Sequence, residues 1–374
     1  MILASSLEKE VLYLDNAAAF VPETEVLEYY FQHLKNLVPN QEAAHQAAFL
    51  LREEIEKAAS NVASIVVGKK NANNYQVVFG NSATELFNLF FKYQEFAKLN
   101  IGASKLLHPA LFNVLKDNCP KVEFLAVNKL GKVDLTSMKA KTFDALVLPH
   151  VQNEIGSIEN LDLVREEFPN SLLVTDSVQA AGKIPFYQNS DVIFISGSKF
   201  GSPGGAALIF NKNKAVLKNF SSYVNSQRHE HYTIGRVNPA IILTFAYALN
   251  LADSAREDRL DKVSKINLFA REKASQLNLP TTLTFNESSP YILHFTIPGK
   301  QSAIVVRYLS KYDILAASGS ACASESKDPS FSLKSMGFSN NDAFSGFRLS
   351  FSWHTTKEYV EKFFNILEEI LKKY

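Results

Sequence analysis

The sequence predicts an α/β fold in which a mainly parallel central sheet is flanked by helices. Short apolar runs alternate with helical stretches over the first two thirds of the chain, which is typical of such folds. Most of these runs are nearly continuous rather than alternating, as expected for strands that are covered by helices on both faces. The six predicted strands lie at residues 76–79, 122–127, 144–148, 171–175, 191–195 and 206–210.

The last third of the chain predicts a smaller α+β domain. Its predicted elements are a long helical stretch at 240–276, a strand at 291–297, a helix near 303–309, a strand at 347–352 and a terminal helix. Thr355 and Glu358 form a capping-box pattern before the terminal helix, and an apolar stripe at helical spacing predicts that this helix packs on a core. We expect a large domain over residues 15–245 and a small domain over 246–374, with residues 1–14 packing near the small one.

Composition and charge exclude several classes of protein. The chain has 374 residues, of which 46% are hydrophobic and 21% charged, and this excludes a largely disordered protein. The net charge of +1 argues against a nucleic-acid binder with a dominant basic face and against a protein held on a membrane by its charge. The N-terminal segment is charged from Glu8 onward, and no run of about 18 apolar residues occurs. We therefore expect a cytoplasmic protein without nucleic-acid or membrane partners.

The two cysteines, Cys119 and Cys322, are too few for a disulfide framework, so both are expected to be free thiols. Cys119 lies in a polar turn beside a predicted strand, and a small buried hydrophobe is the ordinary role of such a cysteine. Cys322 lies among the small residues of 316–326, a composition that predicts a mobile loop rather than a core segment. The two thiols therefore differ in their expected surroundings.

Polar residues follow four of the predicted strands at the point where each strand ends. These four segments are 80–85, 150–154, 176–179 and 196–199. Ligands of open α/β sheets bind beyond the carboxyl ends of the strands. One polar exit is common, but four in one sheet predict a convergent site.

The segment 80–85 has two interpretations. Its small residues open a helix, where unpaired backbone N–H groups and the positive end of the helix dipole suit a phosphate. Plain helix capping by Ser82 or Thr84 explains the same residues.

Asp176 and Lys199 are more informative as a pair than singly. Asp176 ends an apolar run, where a carboxylate requires a cationic partner, and a structural Lys or Arg would meet that need. Lys199 is either an exposed loop charge or a desolvated amine suited to Schiff-base chemistry. They lie 23 positions apart, which accommodates one connection and one strand, so both fit the same end of neighbouring strands. An aspartate for a pyridinium nitrogen and a lysine for a Schiff base are the groups that pyridoxal phosphate (PLP) requires.

With these residues identified, the sequence resembles the fold-type-I PLP enzymes of the class-V aminotransferase family, and within that family the cysteine desulfurases. The resemblance implies the PLP-transferase fold, a homodimer, and conversion of L-cysteine to L-alanine. The motifs that carry it follow the family order over about residues 13 to 350 and are Tyr13-Leu14-Asp15-Asn16-Ala17-Ala18, Ser82-Ala83-Thr84-Glu85, His150-Val151-Gln152-Asn153-Glu154-Ile155-Gly156, Asp176-Ser177-Val178-Gln179, Ser196-Gly197-Ser198-Lys199 and Ser318-Gly319-Ser320-Ala321-Cys322-Ala323-Ser324.

The resemblance implies four residues around the PLP ring. Lys199 would bind PLP as a Schiff base and move protons at the substrate. Asp176 would stabilise the protonated pyridine nitrogen, and Gln179 would donate to the phenolic oxygen. His108 would lie on the ring and act in acid–base steps, whereas without the resemblance it would be read as a surface-loop histidine before Pro109.

The resemblance also implies the residues that hold the phosphate and the substrate. Ala83, through nearby backbone N–H groups, would bind the phosphate together with Thr84 and Ser196. Arg348 and Asn153 would hold the substrate carboxylate, with Asn153 also next to the cofactor, and a bidentate arginine suits that task. No metal ligand is expected.

The decisive residue of the resemblance is Cys322. Its thiolate would attack the sulfur of PLP-bound cysteine, which leaves a persulfide on Cys322 that a sulfur-acceptor protein would receive. The alternative functions are a class-V aminotransferase or related PLP lyase acting on another amino acid, with Cys322 incidental, and a non-catalytic scaffold with the same fold.

Three segments depart from the family pattern. Ser198 stands where desulfurases usually carry a histidine before the lysine. The family commonly carries a glycine-rich, arginine-containing stretch that ends in a phosphate-binding threonine. The corresponding segment of this chain, 226–239, differs from it, and Arg236 or Thr233 is expected to take the role of that threonine. The histidine-containing loop that the family usually carries near residue 45 is only partly conserved in this chain, where His45 is present. These departures concern the substrate and the phosphate contacts rather than the cofactor.

Overall fold

A computed structural model of the protein describes residues 11–36, 40–41, 43–227, 233, 237–319 and 328–373. The strands are β1 (Leu12–Tyr13), β2 (Tyr75–Gly80), β3 (Ile101–Ser104), β4 (Val122–Leu125), β5 (Ala145–Pro149), β6 (Leu172–Asp176), β7 (Val192–Ser196), β8 (Ala206–Asn211), β9 (Ile292–Thr296), β10 (Ile314–Leu315) and β11 (Gly346–Ser350). The helices are α1 (Thr24–Asn36), α2 (Gln46–Val67), α3 (Ala83–Phe91), α4 (Pro109–Asn118), α5 (Leu161–Glu167), α6 (Ala215–Gln227), α7 (Pro239–Ser254), α8 (Arg256–Gln276), α9 (Ser302–Leu309), α10 (Phe331–Ser335), α11 (Asn340–Ser345) and α12 (Lys357–Lys373).

Seven strands form the central sheet in the order β2-β8-β7-β6-β5-β3-β4. The five strands β7, β6, β5, β3 and β4 run parallel to one another, whereas β8 runs antiparallel to both β2 and β7. This arrangement confirms the prediction of a mainly parallel sheet flanked by helices. All six predicted strands are present, shifted by two residues or fewer at each end.

Strand β3 was missed because its sequence, Ile-Gly-Ala-Ser, lacks the run of large β-branched residues that marks a buried strand. The small residues serve close packing. A Cβ at Gly102 would lie 2.8 Å from Leu146 Cδ2, so the neighbouring leucine occupies the space that a side chain would need.

The two faces of the sheet explain why the apolar runs are continuous. Alternate residues of a strand point to opposite faces. In β8, Ala207 and Ile209 pack with α2 and α7, whereas Leu208 and Phe210 pack with α3, α4 and α6. Each strand position therefore meets a helix, and both faces demand apolar side chains.

The C-terminal elements form a second core. Strands β9 and β11 pair antiparallel, and α8, α9 and α12 pack against them. The N-terminal strand β1 pairs in parallel with β10, and Leu12, Leu14 and Phe20 belong to this same core. The division into domains at residues 245 and 246 stays a prediction.

The predicted helical stretch 240–276 is confirmed as two helices, α7 and α8, that meet at Ala255; α7 is buried in the core of the central sheet, and α8 lies over the second core. One local prediction in this region is wrong. The terminal helix is capped one residue later than predicted: Thr356 Oγ1 accepts from the Tyr359 N–H at 3.3 Å, whereas Thr355 Oγ1 accepts from the Ser352 N–H at 3.0 Å. The predicted apolar stripe of α12 is confirmed as core. No helix within the described ranges is both long and apolar enough to cross a membrane.

Candidate active site

A cavity of about 240 Å³ lies where β5, β6 and β7 end. It brings together residues that are far apart in the sequence. Nine of the predicted site residues line it, namely Ala83, Thr84, His108, Asn153, Asp176, Gln179, Ser196, Lys199 and Arg348. Cys322 and Arg236 lie outside the described residues.

The sheet topology places Asp176 beside Lys199. Asp176 is the last residue of β6, and Lys199 lies in the 3₁₀ turn Gly197–Lys199 directly after β7. Strands β6 and β7 are parallel neighbours, with Asp176 opposite Phe194. The expectation that both residues lie at the same end of neighbouring strands is therefore confirmed.

The turn that carries Lys199 depends on glycine. A Cβ at Gly197 would lie 2.4 Å from the Gly204 carbonyl oxygen, closer than atoms approach without a shift of the backbone. The Gly197 N–H donates to the Gly205 carbonyl at 2.9 Å and fixes the turn to the next strand. Lys199 is half-buried rather than an exposed loop charge, and its Nζ donates to the Ala18 carbonyl oxygen.

Asp176 is a buried carboxylate that accepts from the Val178 N–H at 3.1 Å. Burial raises the pKa of its side chain to about 6, while the Val178 N–H and the positive charge of Lys199 oppose the rise. Among the described residues no cationic side chain forms an ion pair with Asp176. The structural Lys or Arg partner that sequence reasoning allowed is therefore not observed there, and the cavity is where a cation could meet this carboxylate.

The turn before α3 is a helix cap that also borders the cavity. Ser82 Oγ accepts from the Glu85 N–H at 3.2 Å, and Glu85 Oε2 accepts from the Asn81 N–H at 2.6 Å. The capping interpretation is thus confirmed for Ser82 and not for Thr84. Thr84 lines the cavity together with Ser196 and Ser198, whose hydroxyl oxygens are 3.4 Å apart.

His108 is mostly buried at the N-cap of α4 and lines the cavity, in contrast to a surface-loop histidine. Its Nδ1 accepts from the Ala110 N–H at 3.2 Å, which places the ring proton on Nε2. Burial, followed by the charge of Lys199, lowers the pKa of this imidazole. The ring is consequently neutral at neutral pH.

Arg348 is held in place on β11 with almost no exposure to solvent. Its Nη1 donates to the Asn153 carbonyl oxygen at 2.7 Å, and its Nη2 forms an ion pair with Asp15 at 2.6 Å. The Nε atom is buried and has no hydrogen-bond partner among the described residues. Asp15 lies in the first of the motifs that carry the family resemblance. It is 333 residues from Arg348 in the sequence, so no local pattern predicts their contact.

The segment from Asp15 to Ala18 lies against several site residues at once. Ala17 accepts from Gln179 Nε2 at 2.8 Å, and the neighbouring carbonyl of Ala18 accepts from Lys199. Sequence reasoning missed Lys183, whose Nζ donates to Gln179 Oε1 at 3.0 Å. These contacts join the N-terminal motif to the turn after β6.

The remaining candidates lie away from the cavity. Cys119 is buried, and burial raises the pKa of its thiol to about 11, so it is the small hydrophobe that was expected. His45 caps α2 by accepting from the Ala48 N–H. Thr233 is buried and forms an isolated parallel β-bridge with Phe79. In the part of the chain that the structure places, no group of His, Cys, Asp or Glu side chains could hold a metal ion.

Comparisons with known proteins agree with this geometry. Residues 12–363 match the family model described as aminotransferase class-V. A curated relative, a cysteine desulfurase from Trichormus azollae, is 26% identical over 381 residues, which cover 97% of this chain and 93% of the relative.

Two solved structures share the fold. The NifS-like protein from Rickettsia africae has a TM-score of 0.84 and 22% identity, and the alignment covers 97% of this chain and 100% of that one. The apo cysteine desulfurase from Thermococcus onnurineus has a TM-score of 0.80 and 18% identity, with coverage of 99% and 96%. The family match spans nearly the whole chain, and the protein therefore belongs to the class-V aminotransferase family of PLP-dependent enzymes.

Proposed function

We propose that the protein is a cysteine desulfurase that converts L-cysteine to L-alanine and passes the sulfur to Cys322. The observation that carries this proposal is the cavity that Asp176, Lys199 and Arg348 share. It combines an amine, an unpaired buried carboxylate and a guanidinium, and these suit an amino acid bound to PLP. The relatives named cysteine desulfurases support the choice of substrate.

The donor set of the cavity fits PLP. Burial makes the Asp176 carboxylate costly to ionise. A protonated pyridine nitrogen beside it would supply the positive charge that offsets this cost. Lys199 Nζ supplies the amine, and the start of α3 with Thr84 and Ser196 offers hydrogen-bond donors to a phosphate. When bound, PLP supplies an electron sink for bond breaking at the amino acid.

The protein's own groups would orient the substrate and move its protons. Arg348 is the cation for the substrate carboxylate, and its contact with the Asn153 carbonyl fixes the plane of the guanidinium. Lys199, once its amine is free, would take a proton from the substrate and return it. The neutral His108 ring offers an Nε2–H to a developing negative charge.

Sulfur transfer would follow as a nucleophilic displacement. The Cys322 thiolate would attack the substrate sulfur, forming an S–S bond as the C–S bond breaks. The C–S electron pair would stay with the substrate carbon, which takes up a proton and leaves as alanine, while the sulfur would remain on Cys322 as a persulfide. An acceptor protein with a reduced thiol would then receive that sulfur.

Mass spectrometry of the protein after incubation with L-cysteine tests this proposal. We expect one added sulfur atom on the peptide that contains Cys322, and loss of alanine release in Cys322→Ala. Cys119→Ala is the matched control, because its buried thiol has a raised pKa, and it should keep full turnover.

Three results would contradict the proposal. Unchanged alanine release in Cys322→Ala would exclude the persulfide step. Formation of a keto acid from another amino acid, without sulfur on Cys322, would favour an aminotransferase, whereas a protein that takes up no PLP would favour the non-catalytic scaffold.

We also propose that the protein forms a homodimer through exposed apolar side chains of α1 and α2. Phe31 on α1 and Phe49 and Leu50 on α2 are each more than half exposed, and Leu34 on α1 is also exposed. Burial of such side chains against a second copy of the chain would remove their apolar surface from water. Sedimentation velocity should give the mass of a dimer, and Phe49→Glu should shift it to a monomer; a monomeric wild type would contradict the proposal.

One prediction concerns the Asp15–Arg348 ion pair. Asp15→Asn removes the ion pair that the buried guanidinium forms among the described residues, so we expect the unfolding free energy of the apoprotein to fall by about 2 kcal/mol. The substrate carboxylate then no longer competes with Asp15 for the guanidinium, and the KM for L-cysteine should fall. Urea unfolding and steady-state kinetics measure the two effects. Asp117→Asn, on the exposed side of α4, is the control that should change neither, and an unchanged stability of Asp15→Asn would show that the pair contributes nothing.

A further inference from the structure

Lys183 is a buried amine that the mechanism above does not use. It is 2% exposed and lies in the helical turns after β6, where the Ala181 N–H donates to the Ser177 carbonyl at 3.0 Å. Gln179 and Lys183 are four residues apart and therefore share one face of these turns. The rings of Phe20 and Tyr291 lie 5.7 and 5.9 Å from Lys183 Nζ.

The burial of Lys183 is costly and calls for a compensating role. Lysine is almost never fully buried unless it is paired. Within the described ranges no carboxylate forms an ion pair with Lys183, and its hydrogen bond goes to Gln179 Oε1. Burial, followed by the positive charges of Lys199 and Arg348, lowers the pKa of the amine to about 7.

The contacts of Gln179 fix which way its amide faces. A backbone carbonyl only accepts hydrogen bonds, so Gln179 must turn Nε2 toward Ala17. The Lys183 amine donates to the other end of the amide, which holds Oε1 away from any donor in the cavity. One N–H of Nε2 is left over, and Gln179 lines the cavity.

We propose that Lys183 is a positioning residue for the cofactor, which holds the Gln179 amide so that its free N–H faces the phenolic oxygen of PLP. This inference rests on the proposed function, since it requires PLP in the cavity. Without Lys183 the amide would be held by the Ala17 carbonyl alone, and an amide that turned over would present its oxygen to the phenolic oxygen. Two lone pairs would then face each other where a hydrogen bond is needed.

The test is a double-mutant cycle on the affinity of the apoprotein for PLP, measured by titration of the visible absorbance. Lys183→Met removes the donor and keeps the length of the side chain. We expect it to weaken PLP binding by about tenfold, the equivalent of one hydrogen bond. In a Gln179→Leu background the same substitution should weaken binding no further, because its effect passes through the amide.

The stability of the apoprotein separates positioning from a structural role. A methionine among Phe20 and Tyr291 avoids the cost of a buried amine, so Lys183→Met should unfold at the same or a higher temperature than the wild type. Equal weakening of PLP binding in both backgrounds, unchanged binding in Lys183→Met, or a destabilised apoprotein would each overturn the proposal. Failure of the wild type to bind PLP would instead refute the proposed function itself.

Discussion

Lys199→Ala is expected to give a colourless protein whose release of alanine from L-cysteine falls by at least roughly 10²–10⁴-fold, the usual contribution of a positioned proton-transfer group. The expected loss is large because Lys199 would supply both the amine that bonds PLP and the group that moves the substrate proton. No other lysine lines the cavity among the residues that the structure describes. The Lys183 amine donates to Gln179 and is not among the groups that line the cavity.

The measurements are the visible absorbance after incubation with PLP and the rate of alanine release. Lys92→Ala, at the exposed end of α3, is the control that should keep both. The thermal unfolding temperature of the Lys199→Ala apoprotein should change little, because the substitution removes one hydrogen bond to the Ala18 carbonyl. A variant that stays folded, yellow and active would place the Schiff-base amine elsewhere.

The sequence predicted the core of the site because strand exits are local signals. Asp176 and Lys199 each follow an apolar run directly, and in a parallel sheet such exits meet at one edge. The length of chain between them was enough to infer neighbouring strands. The same reasoning predicted six strands of the central sheet but not β3, whose small residues are dictated by the packing of Leu146.

Contacts between distant segments were beyond local reasoning. Asp15 reaches Arg348 because β1 pairs with β10 and the chain then continues beside Ser350, an arrangement that no spacing rule reveals. Lys183, in Gly182-Lys183-Ile184-Pro185, has the pattern of an exposed turn. The fold brings Phe20 and Tyr291, both far from it in the sequence, against its buried amine.

Asp176→Asn is expected to stabilise the apoprotein while it impairs the reaction. The pKa of Asp176 is about 6 in the folded protein against an ordinary value of 3.8, so the folded state binds the proton more tightly than the unfolded state. The wild-type unfolding free energy therefore falls as the pH rises from about 4 to about 6, by about 3 kcal/mol in total. Asparagine keeps the oxygen that accepts from the Val178 N–H and carries no charge, so it avoids this cost.

The gain in unfolding free energy should be largest above about pH 6 and should vanish below about pH 4, where aspartate is protonated in both states. We expect kcat to fall roughly 10²–10³-fold, because a neutral amide cannot balance the charge of a protonated pyridine nitrogen. Glu159→Gln is a matched control: burial raises the pKa of that carboxyl to about 7, but Glu159 does not line the cavity. It should leave both PLP affinity and kcat unchanged. If Asp176→Asn lost activity without gaining stability, a positive charge within the apoprotein would already balance the Asp176 carboxylate. The need to balance a protonated pyridine nitrogen in the cavity would then not explain why this carboxylate is buried.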